Sequence, residues 1–481
     1  MTVGVSQNKS IVKYHTPMTI QEILQMGTPQ EIIAALKAKS IIIPKWGGVN
    51  GLRDEYDPKR HPVMNKGKYP DITNDDGSVT YVTRVTYDLQ RLAVKRMTEL
   101  VTGIPVKRIY KPENDRQKEV AKVLEKIYER NRIDSVNIAR CNMLFASCEV
   151  MTLWYAVAER NNLYGTTSHI KLRCRNFSPM FGDEIYPLFD EDGDLIALSV
   201  GYSRKVGGKT VSYFDAYTSD RHLKFSSDGG WSIVENEAIT LGKIPGIYGF
   251  RPTPIWEDTS KIVYEMEWAM SRNGNYLREN SKPLFVVFAD EAITYGDEAK
   301  DDPNYNKGKS VMQYPKGSNA AYVTWQQAVE NLKFYISELR QSFFTQLQLP
   351  DWSYESMKAT PMSGESRKQL FIDCQLKVKD ESGALLEFFD RETNVVKAFA
   401  KVIMGENYAA DIEALPVENV ITPFTINDDK DTIQNLSLAN GNKPMISQRE
   451  SVEMLAWSSD VDKTMEEIAN ESKVDIFEPT I

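Results

Sequence analysis

Between Gly364 and Met404 the chain keeps helical spacing of its apolar residues for about 41 residues, with Ser363 as N-cap and Gly405 as the stop. At 1.5 Å per residue such a helix spans ~60 Å, far more than the average globular helix. Gly383, inside the pattern, is where a kink or break is expected. Upstream, Gln326 to Gln348 carries Val329, Leu332, Ile336, Leu339, Phe343 and Leu347 in a nearly heptad rhythm. The stretch LPDWSYESMKATPMSGESRKQLF, Leu349 to Phe371, separates the two patterns, and Pro350 and Pro361 bar either helix from continuing across it.

The remaining segments follow in a definite order. Residues 1–78 are loop-rich, with one helix signal, TPQEIIAALKAKS, in which Thr28 is the N-cap and Pro29 the first helical residue. Leu89, Leu92, Met97 and Leu100 predict a helix that stops at Gly103, and Pro105 opens an extended stretch. Two further helices are expected over Glu113 to Arg132 and Ser135 to Cys148. From Val150 to Tyr248 the period changes: MTLWYAVAER, HIKLRCRNFS, LIALSVGYSRK, KTVSYFDAYT and RHLKFSSDGGWSIV read as antiparallel strands joined by turns at Asp192-Gly193, Gly207-Gly208 and Asp228-Gly229. Helix resumes from Thr259 to Asn280, and a small β excursion, SKPLFVVFADE to NAAYVTW, precedes the heptad-like stripe. In the tail, Ser447 to Glu450 forms a capping-box signature, followed by a short acidic helix from Asp460 to Glu471.

Chemistry-bearing motifs fail on inspection. Cys141, Cys148, Cys174 and Cys374 sit in apolar or helical contexts and read as structural thiols. His15, His61, His169 and His222 stand singly, without the paired spacing of a zinc site. GGKT at Gly207 and GKS at Gly308 lack the earlier glycine of a phosphate loop, because residues 203 and 303 are Ser and Pro. DEDGD at Asp190 imitates a calcium loop, yet Leu188 and Ser199 occupy ligand positions, so a hairpin turn is the better reading. GGVNG at Gly47 lacks the flanking strand and helix of a dinucleotide site, and no GxSxG elbow is present. No cofactor, metal or catalytic residue is assigned. No apolar run approaches a membrane span, and the first residues, MTVGVSQNKS, do not read as a signal peptide, which places the chain in the cytoplasm at synthesis. A net charge of -9 argues against a protein that coats DNA with a basic face, but not against one through which DNA passes.

The order of parts closely resembles the portal, or head-to-tail connector, proteins of tailed bacteriophages. VKRMTELVTGIPVKRIY is similar to that family's helix, Gly-Pro turn and Tyr. PGIYGFRPTPIWED resembles its proline-bearing strand entering a stem helix. QLPDWSYESMKATPMSGESRKQL resembles its loop beginning PD and ending in Ser-Gly at the start of a tunnel helix. The resemblance implies an α+β fold with a loop-rich segment over 1–78 and a mixed wing over 79–257. It further implies stem helices over 258–280 and 326–348, a small α/β clip over 281–325, a tunnel loop over 349–362, a long kinked tunnel helix with its return to the wing over 363–426, and a short helical crown over 427–481.

It also implies a non-enzymatic homo-oligomeric ring, typically a dodecamer, at one capsid vertex of the virion, assembled in the host cytoplasm. Double-stranded genomic DNA passes through it during packaging and ejection. The implied partners are the terminase large subunit, a head-tail adaptor, and the major capsid and scaffolding proteins, without a membrane. Trp352, Ser353, Tyr354, Glu355, Ser356, Met357, Lys358, Arg367 and Lys368 are then the channel candidates. Asp297, Glu298, Asp301, Asp302 and Tyr305 face the terminase or adaptor. Physical reasoning adds that an acidic ring repels phosphate and lets DNA slide. Arg340, Arg367, Lys368, Lys377 and Lys379 read either as scattered cationic contacts or as ordinary helix-surface charges. Trp352 and Tyr354 suit DNA contact or packing against a neighbouring copy. Two rival readings remain: a metal-dependent nucleic-acid-processing enzyme using Asp301 and Asp302, and another virion ring or adaptor protein.

Overall fold

The structure is a computed structural model and describes residues 20–38, 43–48, 51–190, 192–280, 284–288, 319–323, 329–351, 372–424, 447–455 and 461–474. The described residues form two units, one reaching Asp351 and resuming over Asp373–Phe424, the other containing the described part of the tail.

The first unit opens with α1 (Ile20–Leu24) and α2 (Pro29–Leu36). Thr28 caps α2 as expected: its hydroxyl accepts from the Glu31 N–H at 3.3 Å, and its own N–H donates to the Glu31 carboxylate at 3.2 Å. Ile32, Ile33 and Leu36 bury against Leu188, Phe214 and Phe225. α3 (Leu52–Tyr56), the small hairpin of β1 (Ile72–Thr73) and β2 (Val79–Thr80), and α4 (Leu89–Thr102) follow. The described part of the first 78 residues packs into the body of the first unit. α4 does end at Gly103, which stays right-handed at φ -62°.

β3 (Lys107–Tyr110), α5 (Asp115–Arg130) and α6 (Ile133–Ser147) lead into the β-rich region. Its strands are β4 (Glu149–Asn161), β5 (Ser168–Phe177), β6 (Glu184–Phe189), β7 (Leu195–Val206), β8 (Lys209–Tyr217), β9 (Arg221–Ser226), β10 (Ser232–Ala238) and β11 (Gly246–Phe250). They make a five-stranded sheet, β10-β9-β8-β7-β6, and a three-stranded sheet, β11-β4-β5, with antiparallel pairing throughout. Met151, Leu153 and Phe177 of one sheet pack on Ile185, Leu198 and Val200 of the other. The sequence reading did not single out β6, because Pro187 interrupts its pattern; a proline is tolerated there since β6 is an edge strand. The turn at Asp190 is the expected hairpin connection: one Asp190 carboxylate oxygen accepts from the N–H groups of Asp192 and Asp194 at 3.0 and 2.8 Å.

α7 (Ser260–Asn280) leaves this body and packs along α8 (Val329–Gln346). Between them β12 (Leu284–Phe288) pairs antiparallel with β13 (Asn319–Val323), the expected excursion. α9 (Ile372–Met404) is the described part of the long helix, 33 residues and ~50 Å. It runs unbroken through Gly383, so the expected break is absent; the surroundings of Gly383 are open within 4 Å. α10 (Ala409–Ala414) and β14 (Val417–Val420) follow, and β14 pairs with β3, Val417 opposite Tyr110, returning the chain to the body. In the second unit α11 (Gln448–Leu455) is capped by the predicted box, Ser447 and Glu450 bonding each other at 2.9 and 3.1 Å, and Arg449 joins it to Asp462 of α12 (Val461–Val474) at 2.6 Å.

Candidate functional site

The approach to the segment over 349–362 is built from the carboxyl end of α8. Phe343, Phe344 and Leu347 are buried there, and Leu349 is buried after the helix has ended. Gln348 takes a left-handed conformation, φ 53°, and the Leu349 N–H donates back to Phe344 O at 3.1 Å, turning the chain. Arg340 then holds the next residues: its Nε and Nη2 donate to the two carboxylate oxygens of Asp351 at 2.9 and 3.1 Å. This bidentate pair gives Arg340 a structural task at the end of α8. Lys377 lies 3.7 Å from Glu381 on its own helix, and Lys379 is exposed. The channel candidates Trp352 to Lys358, Arg367 and Lys368, and the clip candidates Asp297, Glu298, Asp301, Asp302 and Tyr305, lie outside the described residues. Ser363, the expected N-cap, does so as well.

α7 is fastened to the body by a ladder that the sequence reading did not find. Backbone N–H groups of Thr83, Val85 and Tyr87 donate to Asn275, Ser271 and Glu267, at 2.5, 2.9 and 2.8 Å. The spacing explains the match: two residues of extended chain advance ~6.6 Å and four residues of helix ~6.0 Å, so alternate N–H groups meet every fourth helical side chain. Gly274 permits the approach, because a Cβ there would lie 2.7 Å from Thr83 Cγ2. Glu267 also meets His61 Nδ1 at 2.6 Å, and His61 Nε2 lies 2.8 Å from the Glu55 carbonyl, with the His61 and Glu267 side chains wholly buried. The Glu55 carboxylate in turn accepts from Trp256 Nε1 and Ser260 Oγ at 2.8 and 2.7 Å. His61 therefore has a fixed place in the body, although in the sequence it stood alone.

α9 is fastened by a buried charge cluster. Arg140 of α6 donates from Nη1 and Nη2 to the two Glu392 oxygens at 2.6 and 2.7 Å, and Trp154 Nε1 adds a bond at 3.0 Å. Burial by itself pushes the Glu392 carboxyl up, but the Arg140 charge and hydrogen bonds, with Arg108 and the Trp154 N–H, outweigh it and hold the carboxyl below the usual carboxylate range. The signal for Glu392 was present in the pattern: it lies among Phe388, Phe389, Val395 and Val396 on the buried stripe of α9. The thiols of Cys141 and Cys148 are buried, and burial pushes both up to about 12, which keeps them protonated and inert.

Several apolar side chains remain exposed along α7, α8 and the start of α9, among them Leu277, Phe334, Tyr335, Ile372 and Leu376. Among the described residues no helix is long and apolar enough to cross a membrane. Residues 49–476 match the family model described as phage portal protein, SPP1 Gp6-like. The chain belongs to that family. The resemblance drawn from its motifs is thereby upheld over most of its length, and the phage portal family to which it belongs is structural rather than enzymatic. No curated protein matches significantly. Among solved structures, the chain is similar to one titled "Neck of empty GTA particle computed with C6 symmetry", at 12% identity and TM-score 0.41. That match covers 89% of this portal-family chain and 98% of the other. A second, "Virion of native gene transfer agent (GTA) particle", has 13% identity, TM-score 0.38 and the same coverage.

Proposed function

We propose that this chain is the portal subunit of a phage virion: copies of it form a ring at the capsid vertex, a conduit for genome packaging and ejection and a docking platform for the terminase large subunit and the head-tail adaptor. The dodecamer is the proposed ring, with scaffolding and major capsid proteins around it and assembly in the host cytoplasm. The family match across residues 49–476 carries this reading. It is supported by the exposed apolar residues of α7, α8 and α9, notably Phe334 at 67% and Leu376 at 53% exposure, which a neighbouring copy of the chain would cover. In this scheme α7 and α8 are the stem, β12 and β13 belong to the clip, α9 is the tunnel helix, and the Arg340–Asp351 pair anchors the tunnel loop at its first residues.

The test combines assembly with function. Native mass spectrometry and negative-stain images of the purified chain, alone and with capsid or scaffolding protein, are expected to show closed rings. Deleting residues 352–358 is expected to leave the rings intact while impairing packaging or DNA retention. Monomers under every condition would overturn the ring, and unfolding on deletion would make the loop part of the core. Asp301→Asn with Asp302→Asn leaves packaged-DNA integrity unchanged here, whereas a metal-dependent nuclease would lose cleavage.

A further inference from the structure

The three-stranded sheet β11-β4-β5 carries two unlike surfaces, one toward each end of β4. Toward its far end the β4–β5 hairpin runs on past the third strand, because β11 pairs only with Glu149 to Leu153 while β5 pairs on as far as Asn161. Paired residues of antiparallel strands share a face, so Tyr155 and Val157 lie with Arg173 and Lys171 on the face that Met151 and Leu153 occupy nearer the start of β4. Met151 and Leu153 are covered by the five-stranded sheet, but Tyr155 and Val157 are left 40% and 42% exposed. Lys171 pairs with Glu159 across the hairpin at 3.0 Å, whereas Arg173 is exposed and has no ion-pair partner among the described residues. The overhang is thus an uncovered apolar face with one unpaired cation.

Near the start of β4 a cavity of about 440 Å³ opens beside the edge strand β11, between the β6–β7 turn and α9. Its floor is aromatic: Phe189, Tyr248, Phe250 and Phe388, with Tyr248 and Phe250 stacked at 5.9 Å. Gly249 lets α9 close against the strand, since a Cβ there would lie 2.9 Å from Phe388 Cδ2. Asp190, Asp192, Glu387 and Arg391 complete the lining. Glu387 and Arg391 pair with each other at 2.5 Å, which leaves Asp190 and Asp192 without a cation among the described residues. Aromatic faces beside unpaired carboxylates favour a guanidinium, which stacks on the one and donates to the other.

Tyr248 and Phe250 sit opposite Met151 and Glu149, and Arg173 sits opposite Tyr155, so four to six residues of β4, ~13–20 Å, hold cavity and overhang apart on one sheet. A sheet cannot fold its end back onto its start, so surfaces complementary in charge at these two places meet only between copies. We propose that the overhang of one copy docks on the next, with Arg173 in the aromatic cavity against Asp190 and Asp192 and with Tyr155 and Val157 covered by the cavity mouth. The two halves of this contact are different surfaces, which makes it head-to-tail, the class of contact that closes into rings. The proposal rests on the ring reading above and names one contact between adjacent copies.

The test reads ring formation of the full-length chain by native mass spectrometry against concentration, with circular dichroism to verify folding. Arg173→Glu and Asp192→Arg are each expected to raise the concentration at which rings form by about tenfold or more, since each sets like charges face to face. Asp192 is the residue to change because its carboxylate makes no bond within the turn, whereas that of Asp190 holds the turn together. Mixing the two variants is expected to restore rings with both chains in equal number: the acidic overhang of one meets the basic cavity of the other, and their unaltered halves meet in turn. With Val157→Cys and Ala384→Cys in one chain, a short bismaleimide is expected to link copies into ladders beyond the dimer. Rings indifferent to both reversals, rings not restored by mixing, or rings that give no ladder would each overturn the contact and leave the ring standing, whereas an unaltered chain that stays monomeric would overturn both.

Discussion

Glu392 shows how far the setting of one residue decides its effect. Glu392→Gln leaves Arg140 and Arg108 buried against a neutral group, and breaking a buried pair in this way costs about 3–5 kcal/mol. Glu387, on the same helix, pairs with Arg391 in the open, and Glu387→Gln is expected to stay within about 1 kcal/mol. Urea denaturation of the two variants checks the contrast. The pH dependence that the buried carboxyls Glu392 and Asp215 confer follows from the sign of each shift. The Glu392 carboxyl is depressed, so its stabilisation is present above the ordinary carboxylate range and is lost as pH falls through the lowered value. Asp215 behaves oppositely: burial pushes it up, only partly offset by the Tyr202 hydroxyl at 2.9 Å. Its contribution is therefore complete below the ordinary range and is lost as pH rises through the raised value. Asp215→Asn should accordingly stabilise the protein at neutral pH, with the gain vanishing in acid; a denaturation-midpoint profile against pH reads both effects.

At the scale of elements, two helical glycines that look alike in the sequence are separated by their surroundings. Gly274 faces Thr83 across the α7 ladder, and Gly274→Ala forces the strap of residues 83–87 outward at a cost of about 1–3 kcal/mol. At Gly383 the methyl of an alanine would meet nothing within 4 Å, and Gly383→Ala should stabilise α9 by about 0.5–1 kcal/mol through helix propensity alone. Thermal unfolding of both variants separates them. The helical and strand periods in the sequence anticipated α2, α4 to α9 and most of the β-rich region, because one face of each element is apolar at its own repeat. The ladder on α7 escaped that reading, since its partners are separated by 180 to 192 residues and its donors are backbone groups, which carry no residue signature.

For the whole molecule, the proposed ring gives the exposed apolar residues of α8 and α9 a role in assembly rather than in folding. Phe334→Asp with Leu376→Asp should leave the circular dichroism of the chain unchanged and shift native mass spectra from rings to monomers. Retained rings would show that these faces are not the subunit contacts. The first unit gathers described pieces from residue 20 to residue 424, closed by the β3–β14 pair, so the chain that leaves along α7 and returns after α9 completes the body it started from.

By itself the sequence determined the kinds of element, their order and the family, because periodicity, caps and short motifs are local properties of neighbouring residues. Only the tertiary structure decided that Arg340 pairs with Asp351, that His61 and Glu267 meet inside the body, that Arg140 and Glu392 fasten α9, and that Arg108 joins them over the Tyr128 ring. Each of these depends on desolvation and on partners distant in the chain, and a charge written in a sequence carries no mark of whether water or another side chain will face it.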